Sequence, residues 1–261
     1  MPNRIDQCFT ALRSKDEKAF IAYICAGDPN LTATVDLALA LEKAGTDILE
    51  LGLPFSDPLA DGAVNQLAAQ RALAAGATVS GVLDCVRQVR ARSEIPIVLY
   101  AYLNPIFQFG FERFHHEAAK AGVDGLLILD LPPEEDQPVD GPHHIRLVAP
   151  TTPPERIEQI CARAAGFIYY VSREGVTGVQ STVASTMADR VAEIGRHTEL
   201  PIAVGFGIST PEQAREVGKV ADGVVVGSAI VQKISEDATK SDLASRIGKF
   251  VRPLVAAVKG L

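Results

Sequence analysis

Two carboxylates eleven residues apart, Glu50 and Asp61, carry the clearest chemical signal in this sequence, within L-E-L-G-L-P-F-S-D-P-L-A-D-G at positions 49–62. Ile48, Leu49 and Leu51 are the branched or bulky apolar residues of a strand, and Gly52, Pro54 and Pro58 then stop its ladder. Glu50 is therefore a lone carboxylate in an apolar strand. Burying an unpaired charge is costly enough that the group usually shifts its pKa instead. One carboxylate on a rigid strand end and a second on the loop it launches suit a site where one group accepts a proton while the other delivers one. A surface salt bridge plus a loop cap is the competing possibility.

A second constellation lies in the last third. Gly205-Phe206-Gly207-Ile208-Ser209, Gly227-Ser228 and Gly175-Val176-Thr177-Gly178 each follow an apolar run. Glycines there let backbone amides approach an anion, and a helix beginning near Ala229 would point its positive end at the same spot. Tight turns alone would also use such glycines. Asp130 could orient reacting groups or cap a loop, and Arg173 could meet a phosphate or anchor a lid running from Ser172 to about Ser185. The nine lysines all sit in polar or helical segments, so none reads as the desolvated amine of a Schiff-base enzyme. His115-His116, His143-His144 and His197 read as solvated surface residues, not as metal ligands.

Positioning these groups takes many elements. Apolar runs at Phe20 to Ile24, Ile48 to Leu51, Pro96 to Tyr100, Gly125 to Leu129, Ile145 to Val148, Phe167 to Val171, Ile202 to Val204 and Val224 to Val226 read as eight strands, alternating with amphipathic helices. Ile5, Cys8, Phe9 and Leu12 have the spacing of a helix that could plug one end of a barrel. Thr152-Pro153-Pro154-Glu155 reads as a capping box, and Ser209-Thr210-Pro211-Glu212 as another helix start. Ala44-Gly45-Thr46-Asp47 is echoed by Ala121-Gly122-Val123-Asp124, as similar βα units would leave. The expected fold is α/β: a single (β/α)8 TIM barrel over residues 1–261, preferred to a doubly wound open sheet, which lacks its G-x-G-x-x-G here. Its strands would bring Glu50, Asp61, Tyr102, Asp130 and Ser172 to one face. Between Asp130 and Ile145 the proline-rich sequence leaves no room for a full helix, so a helix there is expected to be absent or a single turn.

Composition excludes several classes. A net charge of −7 argues against nucleic acid as the main partner, though not against a small phosphorylated substrate held by backbone amides. No apolar run is long enough for a membrane span, and the N-terminal residues lack the apolar stretch of a secretion signal, so cytoplasm is the expected compartment. Cys8, Cys25, Cys85 and Cys161 are scattered without metal-ligand spacing and read as reduced apolar residues.

The long motif at 49–62, with G-D-P around Asp28, S-R-E-G-V-T-G from Ser172, G-F-G-I-S from Gly205 and V-G-S-A-I-V from Val226, resembles the tryptophan synthase α subunit family over nearly the whole chain. The resemblance implies a (β/α)8 barrel that cleaves indole-3-glycerol phosphate to indole and D-glyceraldehyde 3-phosphate by a retro-aldol step, with neither metal nor cofactor. It implies an α2β2 complex in which indole passes to a β subunit that carries pyridoxal phosphate. On the matching positions, Glu50 would be the acid/base and Asp61 the carboxylate at the indole N–H, with Tyr169 close by. Gly178, Phe206, Gly207, Gly227 and Ser228 would hold phosphate. Phe20 and Tyr102 would line the indole pocket, Thr177 would close against Asp61, and Pro54 and Asp57 would meet the β subunit. A free-standing lyase and a catalytically silent regulatory barrel are the alternatives.

Overall fold

Parallel strands buried on both faces organise the molecule. The computed structural model describes residues 3–136, 140–172, 180–205 and 207–260, with 180–186 followed through their backbone. Nine strand segments form one sheet among them: β1 (Ala19–Cys25), β2 (Ile48–Gly52), β3 (Ile97–Ala101), β4 (Gly125–Ile128), β5 (His143–His144), β6 (Arg146–Val148), β7 (Ile168–Val171), β8 (Ile202–Gly205) and β9 (Gly223–Val226). Their order is β5-β4-β3-β2-β1-β9-β8-β7-β6, and every described pairing is parallel. β5 pairs with β4 and β6 with β7. The two are the halves of a fifth barrel strand, which hands over from one neighbour to the other at Ile145, so the ring is completed through the chain itself. The expected strand Ile145 to Val148 is thus in fact interrupted, and extends back to His143.

Helices α1 (Arg4–Arg13), α2 (Leu31–Ala44), α3 (Ala63–Ala74), α4 (Val79–Arg90), α5 (Leu103–Phe109), α6 (Phe111–Ala121), α7 (Pro154–Cys161), α8 (Gln180–Ile194), α9 (Pro211–Gly218), α10 (Ser228–Asp237) and α11 (Leu243–Lys259) surround the ring. α2 shows the punctuation that makes this fold readable: Asn30 caps its start by accepting from the Ala33 amide at 2.8 Å, and Gly45, at φ 106°, ends it in a left-handed turn. α9 starts at a capping box of Thr210 and Gln213. At α7, by contrast, Thr152 is no cap: its hydroxyl accepts from the Ala149 amide at 3.0 Å, and Pro153 stands at the N-cap position. α8 begins at Gln180, earlier than the hydroxyl-rich run S-T-V-A-S-T suggests, because those residues compete with helix in isolation.

The core has two shells. Outside the ring, Phe20, Ala22 and Ile24 of β1 pack with Val35, Leu37 and Leu41 of α2 and Leu254 and Val258 of α11. Inside, Ile5, Phe9 and Leu12 of α1 meet Ile21, Ile48, Val98 and Phe167, with the Phe9 and Phe167 rings 5.8 Å apart. That is the plug expected from the α1 spacing. At the opposite end Tyr23 and Cys25 pack with Ala68, Ala69 and Ala72 of α3.

Between β4 and β5 the described residues hold only one 3-10 turn, Pro133–Glu135, as the prolines lead one to expect. A polar network fills the space. The Asp136 carboxylate accepts from the Arg146 guanidinium and lies 2.6 Å from His144 Nδ1, and His144 Nε2 is 3.0 Å from Nε2 of the fully buried His115. Two of the histidines expected on the surface are therefore interior. Where a helix between β4 and β5 would lie, the segment instead brings the Asp136 carboxylate to the buried, outward-facing Arg146 of β6.

Candidate active site

Glu50 lies on the inner face of β2, fully buried at 0% exposure, and neither carboxylate oxygen has a hydrogen-bond partner among the described residues. Strand register puts it beside Tyr23 of β1 and Val98 of β3. Burial alone pushes its pKa up to about 8, so the carboxyl is neutral at pH 7. This is the environment of a proton donor, not of a salt bridge.

Asp61 sits on the loop after β2 and is held at both oxygens. Tyr100 donates to Oδ1 at 3.1 Å and Tyr102 to Oδ2 at 3.0 Å, and the Asn65 side chain is a further neighbour that favours the ionised form. Burial raises the Asp61 pKa, and the donors oppose it. Tyr102 also accepts from the Ala60 amide at 2.9 Å, strapping the loop to β3. Tyr169 of β7 completes the group: burial first, and then the neighbouring carboxyl groups of Glu50 and Asp61, raise its phenol pKa well above the ordinary value. Glu50, Asp61, Tyr169 and Tyr102 thus meet at one mouth of the barrel.

Phe20 does not join them. It has the wrong parity on β1: residues 20, 22 and 24 face the helices, and Tyr23 is the aromatic that points inward. The Tyr23 ring meets the Tyr100 ring edge-on, with centroids 5.1 Å apart. Tyr23, Tyr100 and Asn65 are the site residues that sequence reasoning does not single out. The signal for Tyr23 is its register with Glu50, which a strand apolar on both faces hides.

Two glycines at the strand ends make room for tyrosines. A Cβ on Gly52 would stand 2.4 Å from the Tyr23 hydroxyl, and one on Gly205 would stand 2.4 Å from the Tyr169 hydroxyl. Farther round the mouth, Gly207 has φ 68° with open space on its Cβ side, and Gly227 precedes Ser228, the first residue of α10. The Gly227 carbonyl accepts from Ile230 and Val231, and the Ser228 and Ala229 amides begin the helix with no carbonyl a turn behind them. Such amides suit an anion. Phe206, Thr177, Gly178 and Arg173 lie outside the described residues.

The remaining candidates have structural partners. Asp130 caps α5, accepting from the Leu103 amide at 2.6 Å. Asp28 is buried and takes a two-pronged hydrogen bond from Arg71 at 2.9 and 2.7 Å, tying the β1 loop to α3. On the loop before Asp61, Pro54 is buried, the Phe55 ring lies 5.5 Å from that of Tyr102, and Asp57 and Leu59 are exposed. No cluster of metal-binding side chains occurs among the described residues, and no helix among them is long and apolar enough to cross a membrane.

The sequence profile of the family described as "Tryptophan synthase alpha chain" matches residues 9–259. The tryptophan synthase alpha chain of Opitutus terrae is 51% identical over 98% of this chain and 99% of its own length. That of Citrifermentans bemidjiense is 48% identical over 98% of each. Among solved structures, tryptophan synthase subunit alpha from Legionella pneumophila superposes with a TM-score of 0.91 at 40% identity, covering 100% of both chains. Tryptophan synthase from M. tuberculosis gives 0.86 at 30% identity, covering 98% of this chain and 100% of its own.

Proposed function

The chain belongs to the tryptophan synthase alpha chain family, and we propose that it cleaves indole-3-glycerol phosphate to indole and D-glyceraldehyde 3-phosphate by a retro-aldol step. The observation that carries this reading is Glu50: a carboxyl buried without a hydrogen-bond partner among the described residues, neutral at pH 7, at the same mouth as a second, donor-held carboxylate.

Indole is a poor leaving group as a carbanion, so C3 of the ring takes a proton before the carbon–carbon bond breaks. Neutral Glu50 gives that proton. The ring becomes an iminium whose positive charge is offset by Asp61, which accepts the ring N–H. Glu50, now a carboxylate, takes the proton from the glycerol hydroxyl; the carbon–carbon bond breaks, its electrons return to the ring, and the hydroxyl carbon becomes the aldehyde. Tyr169 stands beside both carboxylates. The phosphate is held by Gly178, Phe206, Gly207, Gly227 and Ser228, Tyr102 lines the indole pocket, and Thr177 closes against Asp61.

In this reading residues 1–261 act as one barrel domain in the cytoplasm and use neither metal nor cofactor of their own; pyridoxal phosphate belongs to a β subunit in an α2β2 complex, met through the exposed Asp57 on the loop that the buried Pro54 opens. The test supplies indole-3-glycerol phosphate with β subunit present and measures indole. Glu50→Gln is expected to lose about a hundred- to ten-thousand-fold in rate, and Asp61→Asn to be severely impaired. Near-normal turnover by either variant would overturn the assignment of roles.

A further inference from the structure

The Asp61 carboxylate has about four lone-pair directions with which to accept hydrogen bonds. Tyr100 and Tyr102, one on each oxygen, use two of them. We propose that Tyr100 is a positioning residue: by holding Oδ1 while Tyr102 holds Oδ2, it fixes the carboxylate plane, which presents Asp61 as an acceptor for the ring N–H. The inference rests on the lyase reading above and adds to it a residue and a geometry.

Three features make Tyr100 suited to this. It sits on β3, inside the sheet, so its ring moves only with the barrel wall. The ring is packed edge-on against Tyr23, at 70° between planes. Its partner Tyr102 receives the Ala60 amide, which leaves the Tyr102 hydroxyl proton free to serve Asp61 alone. With Tyr102 alone, bound at one oxygen, the carboxylate could rotate about that bond; Tyr100 anchors the second oxygen to the wall.

The electrostatic surroundings make the hydroxyl matter further. The polar and titratable groups around Asp61 are Tyr23 and Cys25 on β1, Glu50 on β2, Tyr100 on β3, Tyr102 just beyond it, Tyr169 on β7 and Asn65 on α3. Among the described residues none of the groups acting on the Asp61 charge is a cation. Neutral donors are what oppose burial there, so losing one favours the protonated carboxyl, which cannot offset an iminium.

The experiment compares wild type with Tyr100→Phe in the complex with β subunit. Asp61 is titrated by carbon NMR of labelled aspartate carboxyls, assigned with Asp61→Asn, and cleavage of indole-3-glycerol phosphate is followed from pH 5 to 9. The expected result is an Asp61 titration moved to higher pH. The acid limb of kcat/KM moves with it, and kcat falls about tenfold with little change in KM. 3-Fluorotyrosine at position 100, a stronger donor, moves the same limb to lower pH and covers the case in which Tyr100→Phe folds poorly. An unmoved Asp61 titration in both variants, with kcat within about twofold of wild type, would overturn the proposal. If wild type makes no indole, the lyase reading fails by itself, and the carboxyl titration still decides whether Tyr100 governs Asp61.

Discussion

Glu50 weakens the fold that holds it. Its ordinary pKa is 4.5 and its folded value about 8, so between these the native chain keeps a proton that the unfolded chain releases. Stability then falls as pH rises through that window, is fully recovered below the lower value, and is lowest above the upper one. Three and a half units correspond to at most about 4–5 kcal/mol, a large share of the ~5–15 kcal/mol available to a domain. The same imbalance lets a carboxylic acid donate a proton at pH 7. Glu50→Gln keeps the shape and cannot ionise, so it should raise the melting temperature relative to wild type at pH 8.5 and lose that advantage by pH 5. Thermal melts across this range check the sign; an advantage that is constant with pH would mean Glu50 is not the group being titrated. Sequence alone exposes this residue, since a glutamate set among Ile48, Leu49 and Leu51 must either find a partner inside the sheet or stay neutral, but it cannot tell Tyr23 from Phe20. Both lie in a strand buried on its two faces, and only the register with Glu50 breaks the tie.

At the scale of elements, the fifth barrel strand departs most from its neighbours. Its two halves, β5 and β6, meet a segment with only a 3-10 turn where another barrel unit would supply a helix. Arg146 is buried there and Asp136 nearly so. Removing one member of a buried pair leaves the other charge uncompensated, which typically costs about 3–5 kcal/mol, whereas replacing both by apolar groups is often neutral. Asp136→Ala should therefore lower the melting temperature substantially, and adding Arg146→Leu should recover most of the loss. If the double variant is as unstable as the sum of both single ones, the pair is not the unit that matters. The missing helix is legible because the stretch from Leu131 through Pro142, with four prolines and a glycine, has no room for a full helix. The network replacing it is not: adjacent histidines look alike whether solvated or buried, and Asp136 meets Arg146 only after β5 and β6 have paired with opposite neighbours. α5 is hidden for a related reason. Pro105 reads as a breaker, yet it lies in the first turn, where no amide hydrogen bond is lost, and the cap comes from Asp130 on the turn after β4.

Over the whole molecule the two ends of the barrel do different work. α1 closes one end with Ile5, Phe9 and Leu12, which makes that face a matter of stability, while the strand termini at the other end carry the carboxylates and the glycine loops. One covalent segment, from Leu53 to Gly62, joins that mouth to the surface. Asp61 is its inner end, strapped to β3 by Tyr102, and Leu59, two residues away, is 82% exposed beside the exposed Asp57. The backbone turn from Pro58 to Asp61, closed by the Asp61 amide on the Pro58 carbonyl at 3.1 Å, makes that exposed stretch continuous with the carboxylate. A β subunit pressing on the outer end would then bias the position of Asp61, and by linkage a substrate held by Asp61 would tighten the complex by the same factor. Asp57→Ala should accordingly reduce the stimulation of indole release by β subunit about five- to fifty-fold, within the usual range of such couplings, while leaving the affinity for glycerol 3-phosphate within about twofold. Rates measured against increasing β subunit, alongside a calorimetric titration of the phosphate ligand, separate the two. Should the phosphate affinity fall and the stimulation persist, the loop would belong to the phosphate end of the mouth, and the coupling would have to run through another element.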